Sequence, residues 1–172
     1  MSSSTVLTTP LLSPRELHCP AWLWERLLEA LRERGHRGKH ESGAFLLGQR
    51  DSLRARIDEF VLYDDLDPHS LDRGIVHFDG RYYGTLWERC RQSSLTVVAD
   101  VHTHPFGSQQ SLSDRAHPMI SAAGHIALIM PNFAMGEVRI DEIGIYQYLG
   151  AKRWRTVPVH ERAEFLKFQS GG

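Results

Sequence analysis

The chain has 172 residues, 41% of them hydrophobic, and its 20 Lys and Arg against 21 Asp and Glu leave a formal net charge of -1. This length and apolar content suit one folded domain, which we place at residues 16–168 between flexible segments at 1–15 and 169–172. The near-neutral charge and the lack of a Lys/Arg cluster argue against a nucleic-acid-binding protein and against binding to an anionic membrane.

The first predicted elements are a helix and a hairpin. Pro20 suits a first helical position, and apolar residues recur at helical spacing up to Gly35, so we expect a helix over about 20–34. The segment 42–49 and the alternating segment 53–63 have the composition of strands. The short turn between these two segments predicts a β-hairpin.

The next part of the chain predicts a loop, a short strand and a second helix. Residues 64–73 are polar and contain a proline, which favours a loop. Residues 74–78 have the composition of a short strand, and Asp79 can cap the helix that follows. The apolar stripe of this helix, which we expect to pack into the core, consists of Tyr83, Leu86, Trp87 and Cys90.

A buried strand then leads into a cluster of potential metal ligands. Residues 95–102 include a run of β-branched apolar residues, and side chains two apart on a strand share a face, so His102 and His104 should project together. Neutral imidazoles suit Zn²⁺, and a carboxylate such as Asp114 would complete the three protein ligands of a catalytic zinc site. The intervening loop contains proline and glycine, which would let the chain return to the histidines.

The last part of the chain predicts alternating strands and helices. A helical stretch from Asp114 must kink or restart at Pro118, which cannot donate to the preceding turn. The other predicted elements are strands at 125–130 and 137–148, a short strand around Trp154 and a closing helix at 161–168. The whole order predicts an α+β fold with a central, mostly antiparallel β-sheet flanked by helices.

Hydrolysis at a metal centre also needs a group that takes a proton from water and later returns one to the leaving group. Glu41 is the best candidate, because it stands at the start of the 42–49 strand, whose glycines allow close approach of the backbone. A glutamate at a strand end is more often a solvated residue. The assignment of Glu41 therefore depends on the metal ligands that lie downstream.

These motifs resemble those of a known family. Glu41 ahead of a strand of small residues, leucine and glycine, the sequence His-Thr-His-Pro at 102–105 and Ser-x-x-Asp at 111–114 are similar to the JAMM (MPN-plus) zinc metalloproteases. The resemblance spans about residues 41–150. It implies the cytidine-deaminase-like JAB/MPN fold and one catalytic Zn²⁺.

The family's functional roles fall on five residues of this chain. The resemblance implies that Glu41 is the general base and acid and that Ser111 helps to stabilise the oxyanion. The implied zinc ligands are His102, His104 and Asp114. The implied reaction is metal-assisted hydrolysis of a peptide or isopeptide bond.

One interval departs from the family pattern. The spacing between His104 and Asp114 is one residue shorter than usual, and we place the deletion between Pro105 and Ser111, in a surface loop. Ser113 is the other possible hydroxyl donor, but we expect it to be the N-cap of the following helix. The prediction fails first if Asp114 cannot reach the histidines.

Other polar residues near the motif have weaker claims. We expect His117 and His125 to be structural or solvent-facing rather than extra ligands, and His40 to be structural. Asp100 lies on the same strand face as His102, where it can accept a hydrogen bond and so orient an imidazole.

The resemblance is strongest to compact bacterial JAB-type deconjugases that are encoded with ubiquitin-like conjugation systems, including antiphage operons. It implies removal or maturation of a ubiquitin-like protein after its C-terminal glycine tail, which would bind as an added strand. E1-like and E2-like proteins are the further partners implied. Two alternatives remain: a peptidase that processes a sulfur-carrier protein or a small peptide conjugate, and a non-catalytic MPN scaffold.

The sequence also carries expectations about location. Cys19 and Cys90 are too few for a disulfide framework or a cysteine-type zinc site. The N-terminal residues have no basic region followed by an apolar run, and no segment is apolar over the length of a bilayer. We therefore expect a soluble, cytoplasmic protein.

Overall fold

The computed structural model describes residues 13–171, and these residues form a mixed β-sheet of eight strands with helices packed against it. The strands are β1 (Glu16–Pro20), β2 (Gly43–Arg50), β3 (Arg54–Leu62), β4 (Thr96–Thr103), β5 (Ile126–Met130), β6 (Gly144–Gly150), β7 (Arg153–Thr156) and β8 (Leu166–Gln169). Their order across the sheet is β7-β6-β5-β4-β2-β3-β1-β8. β1 is parallel to β3 and to β8, β4 is parallel to β5, and the other pairings are antiparallel.

Within the described residues, five α-helices accompany the sheet: α1 (Ala21–Arg34), α2 (Tyr63–Leu66), α3 (Tyr83–Ser93), α4 (Leu112–Ala116) and α5 (Arg162–Phe165). The predicted first helix is confirmed as α1. It starts directly after Pro20, whose fixed φ and missing N–H suit a helix start, and it ends before Gly35. Among the described helices, none has both the length and the apolar character that crossing a lipid bilayer would require.

The two faces of the sheet bury different apolar clusters. Along β2, Ala44 and Leu46 belong to the cluster that contains the buried face of α1, whereas Phe45 and Leu47 belong to a second cluster with Leu86 of α3. This alternation is the period-two pattern of a strand that is covered on both faces. The core is therefore split by the sheet into an α1 side and an α3 side.

The hairpin of β2 and β3 is confirmed, and the two strands pair antiparallel with a register shift between Leu47 and Gly48. Residues 79–93 also follow the prediction, because Asp79 caps a short 3₁₀ turn at Gly80–Tyr82 that continues into α3. The helix that carries Asp114 is shorter than predicted: it stops at Ala116, ahead of Pro118, and residues 117–124 are irregular rather than a restarted helix.

Several predicted elements are wrong. Residues 74–78 are irregular rather than a strand, and only the later part of 137–148 is a strand, because Ile140–Glu142 forms a 3₁₀ turn. The helix predicted over 161–168 is only the single turn α5, after which the chain becomes β8. The sheet itself is mixed, with four antiparallel and three parallel pairings.

The first and last strands explain part of this difference. β1 was not predicted, and β8 was predicted as helix, yet the two strands pair with each other in parallel over Leu17↔Leu166 to Pro20↔Gln169. Glu16 of β1 accepts a hydrogen bond from Lys167 of β8 and pairs with Arg54 of β3. The partners of each strand are distant in sequence, so no local pattern indicates them. The flexibility predicted for residues 1–12 and 172 concerns positions outside the described residues.

The register shift in the hairpin requires glycine at position 48. A Cβ on Gly48 would lie 1.7 Å from the backbone oxygen of Arg56. We expect Gly48→Ala to lower the free energy of unfolding by about 1–3 kcal/mol, because the strand backbones must move apart. Urea unfolding followed by circular dichroism measures the change.

Gly84→Ala is the matched control for this substitution. Gly84 lies in α3, where an added Cβ meets no atom within 4 Å. We expect the control to be neutral or stabilising, since alanine is the better helix former by about 1 kcal/mol. Equal stability of Gly48→Ala and the unaltered protein would contradict the account of the hairpin.

Candidate metal centre

The predicted histidines lie at the end of a central strand. His102 is in β4 and pairs with Gly43 of β2 on one side and Ile129 of β5 on the other. Val101 belongs to the α1-side cluster, so the side chain of His102 points to the opposite face. His104 follows β4, and its backbone N–H donates to the carbonyl of Met130 at the end of β5.

The three predicted ligands come together. The Nε2 atoms of His102 and His104 are 2.9 Å apart. The two carboxylate oxygens of Asp114 lie 3.3 Å from these nitrogens, Oδ1 near His102 and Oδ2 near His104. Potential donor atoms of all three side chains fall within 4.8 Å of one another. The shorter loop before Asp114 therefore does not prevent its carboxylate from reaching the histidines.

Asp114 is held in place by the first turn of α4. Ser111 is the N-cap of this helix, and its hydroxyl accepts from the backbone N–H of Asp114 at 3.1 Å. The backbone N–H of Ser111 in turn donates to Oδ2 of Asp114 at 2.7 Å. This is a reciprocal capping box, which satisfies two N–H groups at the helix start. The same carboxylate thus faces the histidines and caps its own helix.

The position of the cap corrects one prediction. Ser113, predicted as the N-cap, is the second residue of α4, and Ser111 caps the helix instead. In a capping box, the N-cap residue and the residue three positions later exchange hydrogen bonds between side chain and backbone N–H. Asp114 can therefore form this pair only with residue 111. A hydroxyl that accepts one hydrogen bond can still donate another, so capping leaves the hydrogen of Ser111 for a second acceptor.

The electrostatics of the cluster favour a cation. Burial raises the pKa of Asp114, but hydrogen bonds from His102 and His104 outweigh it and hold the pKa well below its usual range. Burial lowers the pKa of His102, but the hydrogen bond and charge of Asp114 outweigh it and raise the pKa. The carboxylate therefore stays negative at neutral pH and favours a positive charge beside it.

The donor set also fits a tetrahedral ion in size. Zinc bonds of about 2.0–2.1 Å at tetrahedral angles separate ligand atoms by roughly 3.3–3.4 Å. Each histidine nitrogen lies at this distance from one oxygen of Asp114, Oδ1 for His102 and Oδ2 for His104, and the two nitrogens are 2.9 Å apart. With one donor atom from each side chain, the three atoms lie within 4.8 Å of one another. Two imidazoles and one carboxylate are a ligand set typical of catalytic zinc.

Glu41 lies in the cleft beside this cluster. The cleft is lined by Glu41, His102 and Asp114, together with Val76, Met119 and Trp154 among others. Glu41 is also bound to the irregular segment 74–78: its backbone N–H donates to the carbonyl of Gly74 at 2.9 Å, and its Oε2 accepts from the N–H of Val76 at 3.0 Å. The candidate base is therefore fixed at both its backbone and its side chain. Ser111 is exposed and adjoins the cluster through Asp114.

The remaining histidines take other positions. His117 lines the cleft from its exposed rim, and His125 is buried against Asp100. His40 packs against His36, with ring centroids 4.8 Å apart. Asp100 does orient an imidazole as predicted, but the ring is that of His125 and not that of either predicted ligand.

Sequence reasoning missed two contacts at this site. The hydrogen bond from Val76 to Glu41 joins positions that are 35 residues apart, and the contact of Asp100 with His125 depends on the parallel pairing of β4 and β5. The alternation along β4 indicated that Asp100 faces the site. The partner could not be identified without the sheet order.

Comparison with known proteins supports a relationship to metalloproteases. No protein-family model matches the chain. The chain is 26% identical over 128 residues to the probable metalloprotease y4jG of Sinorhizobium fredii (strain NBRC 101917 / NGR234), which covers 74% of this chain and 78% of that protein. The solution structure of protein DSY2949 from Desulfitobacterium hafniense superposes with a TM-score of 0.66 at 13% identity, covering 90% of this chain and 94% of that one. The structural similarity shows a shared α+β fold.

We expect the protein to bind one divalent ion through His102, His104 and Asp114. Zn²⁺ at a thousand times its Kd should raise the free energy of unfolding by about 4 kcal/mol, because it binds only the folded state. His104→Ala should abolish this stabilisation, whereas His160→Ala, at an exposed histidine outside the cluster, should retain it. Thermal unfolding with and without Zn²⁺, together with metal analysis of the dialysed protein, tests the assignment. Equal stabilisation of both variants would contradict it.

Proposed function

We propose that this protein is a JAMM-type zinc peptidase, with the cytidine-deaminase-like JAB/MPN fold, that removes or matures a ubiquitin-like protein. The observation that carries the proposal is the convergence of His102, His104 and Asp114 in a cleft that also contains Glu41. A metal beside a fixed carboxylate is the arrangement that metal-assisted hydrolysis requires. The similarity to a probable metalloprotease supports the same chemistry.

The residues of the cleft have separable roles in this reaction. When bound, Zn²⁺ would polarise the scissile carbonyl and lower the pKa of a water molecule. Glu41 accepts a proton from the attacking water and later delivers it to the departing amine. The N–H of Val76 donates to Oε2 of Glu41, which orients the carboxylate for this proton transfer. The hydroxyl of Ser111 donates to the developing oxyanion.

The sheet restricts how an extended substrate can bind. β4 already has β2 and β5 as neighbours, so a substrate tail cannot add to the strand that carries His102. Backbone that lines the cleft outside the sheet includes segments 74–78 and 105–111, which contribute Val76 and Gln110. We infer that the tail lies between these two segments. Binding between two backbone segments favours glycine in the substrate tail, because a residue without a side chain can come closest to the protein backbone.

The choice of a ubiquitin-like substrate is supported by the pattern of Glu41, His-Thr-His-Pro and Ser-x-x-Asp. This pattern resembles compact bacterial deconjugases, and E1-like and E2-like proteins of the same system would then be partners. An antiphage role is the corresponding physiological proposal. Cleavage of a sulfur-carrier fusion would favour the related processing peptidase instead.

Glu41→Gln should abolish turnover and leave zinc affinity unchanged, because the amide cannot accept the proton and Glu41 is not a ligand. The assay follows release of a reporter amine from the glycine tail of a ubiquitin-like protein, with zinc content measured on the same sample. Glu164→Gln, at an exposed glutamate of α5, is the matched control and should keep full activity. A fully active Glu41→Gln protein would refute the assignment. If the unaltered protein neither binds zinc nor shows metal-dependent cleavage, the scaffold alternative holds.

Ser111→Ala should reduce kcat on the order of a hundredfold, because one donor to the oxyanion is lost. It should also lower the free energy of unfolding by about 1 kcal/mol through loss of the helix cap. Ser113→Ala is the matched control, since Ser113 is exposed and is not the cap. Steady-state kinetics and urea unfolding on both variants separate the two effects. Equal changes in the two variants would contradict the role of Ser111.

A further inference from the structure

Three buried polar side chains form a hydrogen-bonded cluster behind the candidate metal ligands. The hydroxyl of Tyr63 donates to Oδ2 of Asp100 at 3.1 Å, and Nε2 of His125 donates to Oδ1 at 2.5 Å. Tyr63 is fully buried, and Asp100 and His125 expose only 2% and 3% of their surface. We call Tyr63, Asp100 and His125 the Asp100 cluster.

The cluster places a carboxyl group inside the protein. A buried carboxylate is costly unless hydrogen bonds replace the lost water, and here both oxygens of Asp100 have a donor. Burial and the neighbouring Asp100 raise the pKa of Tyr63 far above its usual value, so the phenol remains a neutral donor. The backbone pairing of β4 and β5 does not require any of these side chains. The cluster therefore calls for an explanation other than formation of the sheet.

The cluster is built into the strands that form the site. Asp100 precedes His102 by two positions on β4 and lines the same cleft. Tyr63 packs against Gly43, which is the partner of His102 on β2, so closely that a Cβ on Gly43 would be 2.3 Å from the ring. His125 directly precedes β5, the neighbour of β4 on the other side. Asp100 is thus held from both flanks of the strand that carries His102.

Asp100 does not act by binding the metal or by holding a ligand directly. It is not part of the group of donor atoms formed by the described residues. Nδ1 of His102 is buried and has no hydrogen-bond partner among residues 13–171, so Asp100 does not accept its proton. What Asp100 can supply is charge: two neutral imidazoles and one carboxylate leave a divalent ion with a net charge of +1. In the protein interior a second nearby carboxylate interacts with that charge more strongly than in water.

We propose that the carboxylate of Asp100, held by Tyr63 and His125, raises the metal affinity of the centre by its charge and without contacting the ion. The inference rests on the proposed function in one respect, namely that His102, His104 and Asp114 bind the metal. It adds a fourth contributor that the ligand motif does not contain.

Zinc affinity of the full chain tests the proposal, measured by competition with a chromophoric chelator. Asp100→Asn keeps the shape of the side chain and removes its charge, and we expect the Kd for Zn²⁺ to rise by about 10- to 100-fold. The visible absorption spectrum of the Co²⁺ form should stay unchanged, because the three ligands remain. Tyr63→Phe removes one hydrogen bond but keeps the charge, so its Kd should rise only a few-fold.

Asp58→Asn is the matched control. Asp58 is a partly exposed carboxylate of β3 that is bound to Arg56, so its loss changes the net charge of the protein equally but away from the cleft. We expect its Kd to equal that of the unaltered protein. An equal loss of affinity in Asp58→Asn and Asp100→Asn would overturn the proposal in favour of a net-charge effect.

The other outcomes are also decisive. If the unaltered protein binds Zn²⁺ and Asp100→Asn binds it within twofold, the role of Asp100 is wrong and the proposed function stands. If the unaltered protein does not bind Zn²⁺, the proposed function fails first.

Should Asp100→Asn not fold, it is replaced by Asp100→Ser, which keeps a hydroxyl between Tyr63 and His125. If neither variant folds, Asp100 serves folding and the proposal is overturned. A loss in Tyr63→Phe as large as that in Asp100→Asn would overturn the assignment to charge.

Discussion

The register between β2 and β4 is the constraint on which the candidate site depends. Gly43 lies opposite His102, which places Glu41 just before the start of β2 and in the same cleft as His102. A slip of one residue would turn every side chain of β4 to the other face of the sheet. Ala99 and Val101, buried on the α1 side, oppose such a slip, because it would turn them to the cleft face and bury the polar Asp100 and His102 under α1. The apolar core thus determines where the polar residues of the site can stand.

Several negative groups share a small, partly buried region, and each is held by donors from a different element. Glu41 accepts from the N–H of Val76, Asp114 from the N–H of Ser111, and Asp100 from Tyr63 and His125. Fixed donors replace water and stop the carboxylates from rearranging. The fold therefore creates a preorganised negative region, in which a cation completes an arrangement that already exists.

The parts of the site that follow from local spacing were predictable from sequence. The shared face of His102 and His104 needs only the period of a strand, and the helix start near Asp114 needs only capping chemistry. The choice between Ser111 and Ser113 as cap was wrong because both residues suit a cap, and only the reciprocal contact with Asp114 decides between them. The pairing of β1 with β8 and the contact of Asp100 with His125 join residues that are far apart in sequence. Such contacts are set by sheet order, which no short pattern encodes.

The element that carries Asp114 is unusual as a support for a metal ligand. α4 has five residues, far fewer than a helix needs to be stable on its own, and none of them is buried. It is held by its own cap, by the contacts of Asp114 with His102 and His104, and by the hydrogen bond from the indole of Trp154 to the carbonyl of Arg115. The free energy of metal binding is consequently shared with the ordering of this turn, since an ion held by Asp114 also holds α4 in its helical form. With the metal bound, α4 would stay ordered at the side of the cleft, and without the metal it would unfold locally more often. Access to the cleft would therefore depend on whether the metal site is occupied.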